Sequence, residues 1–232
     1  KNGKKLTADA IDVFVMDTQY GEILDKEEWI GEHKVLGKIV VPATKQIKLG
    51  TSSKKTTNVP AKIMMYGAQE KGKKGCFEIK GSLISENEGA ALFTEMKNTA
   101  DGFSEIEETE NHPGWGGITA EAGAKVALEN CEIKYADRGI TVKGDGADVK
   151  LNRVYLHDND IGLHVIGGRK VEIKESRIEN NRKYGIKEDK NGNESPEVTR
   201  DKNTTVKENG YTGRSEYPRD HYKAEDGLKV TE

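Results

Sequence analysis

Apolar and polar residues alternate in short runs along this chain, and the runs return at a fixed interval. Val126 and Leu128, Val149 and Leu151, and Val171 and Ile173 each stand two apart, followed by Ile133, Leu156 and Ile178. Period two predicts strands with one face turned inward. A further short strand follows a glycine in each unit, at Ile140 and Val142, at Leu163 and Val165, and at Ile186. The units start at Val126, Val149 and Val171, 23 and 22 residues apart. Gly117, Gly139, Gly162 and Gly185 recur at steps of 22, 23 and 23. No stretch between the strands is long enough for a crossover helix, so a βαβ sheet is excluded. A unit of this length cannot bury its own apolar face and must stack on its neighbours. The pattern predicts an all-β parallel solenoid with coils of about 22–23 residues, rising about 4.8 Å per coil.

The turns carry the same period. Asn159, Asn181 and Asn209 each fall three residues after Leu156, Ile178 and Val206. Stacked at one corner, their amides can bond to one another and to turn backbone as an internal ladder, with Ala136 in the corresponding place one coil earlier. Gly139, Gly162 and Gly185 are expected at a bend that a Cβ would crowd. After Ile186 the register is broken by KEDKNGNESPE, then resumes at Val206 and Asn209. Gly227-Leu228-Lys229-Val230 repeats Gly139-Ile140-Thr141-Val142, so the chain is expected to stop within a coil and to belong to a longer protein.

Before Gly117 the grammar is looser. Val35, Ile39 and Val41 lead to Ile47 and Leu49, then Ile63 and Met65, then Phe77, Ile79 and Leu83. The spacers SSKKTTN and QEKGKKG and the acidic loop SEIEETENHPG are taken as inserts that interrupt coils. The expected organisation is one domain over 1–232. Residues 1–28 form a cap or first strands (Ala8 to Leu24 above all), 29–186 the recognisable coils, 187–198 a loop insertion and 199–232 the last coils.

Composition narrows the partners. Charged residues are 33% of the chain yet nearly cancel, at a net charge of -3, which gives no general attraction to nucleic acid or an anionic membrane. The two cysteines are too few for a disulfide framework. Cys131 takes the inward place of Val154 and Ser176, Cys76 just precedes a strand, and two free, largely buried thiols are expected. No apolar run has the length of a membrane span, and no signal peptide is present; the abrupt start at KNGKK suits a trimmed mature form.

A set of motifs in fixed order then carries a resemblance. Trp29 precedes a stretch from Val35 to Pro42; Gly81-Ser82-Leu83 ends a strand; Phe93-Thr94 and Trp115-Gly116-Gly117-Ile118 follow. Over about residues 29 to 186 the chain resembles the right-handed parallel β-helix regions of secreted and cell-surface bacterial proteins. The resemblance implies a single-stranded right-handed parallel β-helix and a place outside a bacterial cell, extracellular or on its surface. Trp115 is then a structural residue closing a coil rather than a sugar platform. It does not imply one activity, since such regions occur in adhesins and in polysaccharide-active enzymes alike.

Enzymes of that kind use stacked carboxylates and a basic residue in a groove. The matching cluster here is Asp137, His157, Asp158, Asp160 and Arg182, on adjacent coils. However, His157 aligns with Lys134, Glu179 and Lys207, an outward position expected to be solvated, and His164 is likewise expected to be exposed. Asp189, Asn191 and Asn193 place oxygen ligands at alternate positions like the start of a calcium loop. The loop's usual glycine and final glutamate are replaced by Glu194 and Arg200, so a hydrophilic hairpin-like turn explains them equally. Tyr135, Tyr184, Tyr211 and Arg214 are the candidate surface contacts; Tyr217 and Tyr222 are further exposed aromatics. No Walker, Gly-x-Ser-x-Gly or zinc spacing is present. The expected function is an exported, non-catalytic module of a bacterial surface protein, a rigid scaffold or adhesin-like binder of glycan or protein, with no cofactor. The alternative is a carbohydrate-active enzyme using the His/Asp/Arg cluster.

Overall fold

The structure, a computed structural model, describes residues 21–23, 25–50, 60–67, 74–85, 90–100, 102–108 and 112–210, with short backbone strands at 7–8, 11–12, 221–224 and 229–230. Each turn of the chain lays down three short strands, one in each of three parallel sheets. In one regular coil these are Lys125–Glu129, Cys131–Lys134 and Arg138–Val142. The next coil repeats them as Asp148–Asn152, Tyr155–His157 and Ile161–Ile166. The chain forms a right-handed parallel β-helix.

Register explains the sequence period. Leu83, Val126, Val149, Val171 and Val198 stack as partners in the first sheet. Ile63, Phe93, Ile133, Leu156, Ile178 and Val206 do so in the second. Ile39, Phe77, Ile118, Ile140, Leu163 and Ile186 do so in the third. Like side chains sit above like, and the three columns meet as one apolar core. A slip of one residue would turn every column outward.

Two corners are made by single left-handed residues. Asn130, Arg153 and Glu175 (φ 53°, 52° and 48°) turn the chain from the first sheet to the second. Tyr135, Asp158, Asn180 and Glu208 (φ 62°, 53°, 56° and 57°) turn it from the second towards the third. The asparagine ladder lies directly after this second corner. Asn159 Nδ2 donates to Asn181 Oδ1 at 3.1 Å, and Asn181 Nδ2 to Asn209 Oδ1 at 2.9 Å. The backbone N–H of Ala136 donates to Asn159 Oδ1 at 2.9 Å, so the ladder starts beneath Ala136. At Gly162 a Cβ would come within 2.7 Å of the Gly185 carbonyl oxygen and 2.9 Å of Asn181 Nδ2. That close approach accounts for the glycine step in the sequence.

Several expectations change. The strand at Tyr184–Asp189 continues through residues expected in the loop insertion, and Glu197–Arg200 already starts the next coil. His221–Ala224, not the Gly227 repeat, takes the third-sheet place, and Lys229–Val230 pairs antiparallel with it. The acidic segment SEIEETENHPG begins inside a hairpin, because Gly102–Glu105 runs antiparallel to Met96–Thr99. Cys131 is buried, but Cys76 opens its strand only half-buried. Of Ala8 to Leu24, Thr7–Ala8 pairs with Ile11–Asp12, and Gly21–Glu22 joins the third sheet; 9–10, 13–20 and 24 lie outside the described residues. No helix among the described residues is long and apolar enough to cross a membrane.

Candidate functional site

The second corner is also where the stack carries a cavity, of about 400 Å³. Left-handed Tyr135 and Asp158, which make that corner, both line the cavity. Asp137, Asp160 and Arg182 rise from the same corner on successive coils, and Glu108 and His112 close the far side from the hairpin's return segment. Four of the five cluster residues named from the sequence therefore share one pocket. His157 does not line it.

Every aspartate in the pocket has a partner. Asp137 Oδ1 accepts from Lys74 Nζ at 2.6 Å, and the same ammonium donates to the Pro113 carbonyl at 3.0 Å. Asp158 Oδ2 lies 2.6 Å from His157 Nδ1. Asp160 is held by Arg182 and by Lys183 Nζ, the latter at 2.8 Å. Burial alone would raise the Asp160 carboxyl, but the bonds from Arg182 and Lys183 outweigh it and hold it below its usual range.

The sequence reading missed Glu108 and His112 in the lining, and Glu95 behind His112. Glu95 is wholly buried, and its Oε2 lies 3.1 Å from His112 Nδ1. Burial pushes its carboxyl up to about 8, against the pull of the Gly114 backbone N–H and the Lys74 charge. The His112 ring stacks on Tyr135, centroids 3.6 Å apart and planes 14° off parallel. A signal for Glu95 was present: Ala91, Phe93 and Glu95 share one inward-facing period, which puts an acid on the core side of a strand. Nothing in the spacing brings His112 to it, because an insert of irregular length intervenes.

The remaining candidates move. His157 points outward but is covered: its ring packs 3.8 Å from Tyr155, and Nε2 lies 3.1 Å from Glu132 Oε1. The expected solvated position is therefore a packed one, 8% exposed. His164 is buried too, with Nε2 donating to Asp189 Oδ2 at 2.7 Å; its own burial outweighs the carboxylate and lowers its proton affinity. Tyr135, expected as an exposed contact, is 8% exposed because His112 covers its face. Tyr184 is half-buried on its strand, away from the pocket lining. Tyr211, Arg214, Tyr217 and the side chain of Tyr222 lie outside the described residues. Trp115 is fully buried, and its Nε1 donates to the Lys134 carbonyl at 2.8 Å, as a coil-closing residue should.

The calcium-loop candidates form a turn. Asn191 and Glu194 make a two-residue antiparallel bridge, each N–H donating to the other's carbonyl at 3.0 and 3.1 Å. Asp189 points back to His164 and Lys187 Nζ, the latter at 2.6 Å, rather than into the turn with Asn191 and Asn193. Among the described residues no three His, Cys, Asp or Glu side chains converge as a metal-binding group.

The family model described as a right handed beta helix region matches residues 51–204, well over half of the chain. No match was found among curated proteins or among solved structures.

Proposed function

Because this chain belongs to the right-handed beta helix family, we propose that it is a rigid, exported module of a bacterial surface protein that binds a glycan without turning it over. The observation that carries this reading is the corner pocket. It is a concave, polar site on a rigid stack, with carboxylate oxygens and the Arg182 guanidinium arranged to exchange hydrogen bonds with hydroxyl groups. The stack supplies the rigidity, so the ligand meets groups already held in place. General acid catalysis by a pocket carboxyl would call for a raised proton affinity, and Asp160 is displaced in the other direction.

A second reading keeps one observation of its own. Asp137, Asp158, Asp160 and Arg182 converge as a carbohydrate-active enzyme would need, and His112 stands beside them with a buried carboxyl behind it. A glycan array and a polysaccharide-depolymerisation screen on one sample, with and without calcium, separate the two. Binding with no new reducing ends or unsaturated products is expected, weakened at least tenfold by Asp160→Ala. Turnover abolished by His112→Ala or Asp137→Asn would establish the enzyme instead.

A further inference from the structure

The pocket's far wall is not part of the coil stack. His112, Pro113 and Gly114 belong to the return of the hairpin insert. Lys74 Nζ reaches the Pro113 carbonyl, His112 lies flat on Tyr135, and His112 Nδ1 meets Glu95 Oε2. Glu95 itself belongs to the stack, on the strand Ala91–Thr99, with no exposed surface. One polar contact between stack and wall thus runs through a fully buried carboxyl.

We propose that a proton held between Glu95 and His112 latches this wall to the stack, so that the pocket is assembled at neutral pH and loosens in alkali. The proposal rests on the pocket being the binding site, and concerns how that site is regulated. The groups facing Glu95 define its state. Lys74 is committed to Asp137 and the Pro113 carbonyl, Asp137 opposes ionisation, Tyr135 is pushed up to about 12 by its own burial, and His112 is the direct partner. In the neutral form Glu95 Oε2–H donates to His112 Nδ1. Ionisation leaves a carboxylate desolvated in the core, with the Lys74 ammonium already committed to Asp137 and the Pro113 carbonyl. The sign follows from linkage. Burial raises this carboxyl from an ordinary 4.5 to about 8. Undocking the wall would open Glu95 to water and lower that value, so the docked wall binds more protons than the undocked one and docking weakens as pH rises towards 8.

Carboxyl-carbon NMR of Glu95, with ring-proton shifts of His112 and Tyr135, tests this on the whole chain. The Glu95 carboxyl is expected to titrate near pH 8, and the upfield ring-stacking shifts to collapse over the same range. Glu95→Gln, whose amide can donate to Nδ1 and does not ionise, should keep the stack intact to pH 9.5. Titration of wild-type Glu95 near 4.5, or an unchanged transition in Glu95→Gln, overturns the latch. If the variant fails to fold, the wild-type carboxyl titration decides alone. Affinity for array-retained glycans at pH 6.5 and 9 is a separate arm. No retained glycan sinks the pocket reading and leaves the NMR result standing, whereas equal affinity at both values sinks the latch.

Discussion

The two coils between Gln46 and Ala120 and the three between Lys125 and Asp189 solve the same problem differently. The later coils are nearly uniform, and their interior columns hold aliphatic side chains of similar size. The earlier ones carry inserts, and their interior is filled by a run of aromatics. Phe77 meets Phe93 edge-on at 5.8 Å, and Phe93 lies 6.2 Å from Trp115 at 16°. A regular coil spreads its stability over repeated small contacts, while an interrupted coil concentrates it in a few large ones. Chemistry collects at the seam. Trp115 N–H donates to the Tyr135 carbonyl at 3.2 Å and Asp137 N–H to the Trp115 carbonyl at 2.7 Å, so the last irregular coil and the first regular one build the pocket's base together.

The contrast can be broken from either side. Trp115→Ala removes a fully buried indole and leaves the Lys134 carbonyl without its donor, and should cost about 3–5 kcal/mol in denaturant unfolding. A loss under ~1 kcal/mol would mean the aromatic run is not what holds the interrupted coils. Asn181→Ala strikes the regular side. It removes an amide that donates to Leu156, Glu179 and Asn209 and accepts from the Asn159 backbone. A loss of about 2–4 kcal/mol is expected, with amide exchange rising first in the coils on either side of 181. Uniform exchange along the whole chain would show that the ladder is not a local unit.

The smallest effect concerns pH at the N-terminal end. His33 is buried against Trp29, ring centroids 4.6 Å apart, and burial lowers its proton affinity to about 4. The unfolded chain takes up this proton near 6.5, the folded one only near 4. Its contribution to stability is therefore complete above pH 6.5 and lost as pH falls towards 4. Unfolding free energy should drop by roughly 2–3 kcal/mol across that window. His33→Leu should flatten the profile, and an equally steep profile in the variant would assign the loss to other groups.

The fold was legible because its cause is local and repeated. Inward alternation, the glycine step and the asparagine step each recur at the coil length, and any one of them predicts the stack. Burial of outward residues was not legible in that way. His157 follows the same outward alternation as Lys134 and Lys207; Tyr155 stands two residues before it on the same face, but nothing in its own coil says that Glu132 of the previous coil closes over it. The pocket was half visible. Asp137, Asp158, Asp160 and Arg182 lie on consecutive coils and come together through the period alone, whereas His112 arrives through an insert that has no period.

The amino-acid sequence by itself determined that this chain coils and which residues face the axis, and it set five polar groups close together on adjacent coils, four of which line one corner, because a strand's side-chain period and a coil's length are properties of the chain's own spacing. Only the tertiary structure decided that a glutamate on the inward face meets a histidine from a return loop, and that outward histidines are covered. Those outcomes depend on neighbours that spacing along the chain does not place, and on the desolvation they jointly impose.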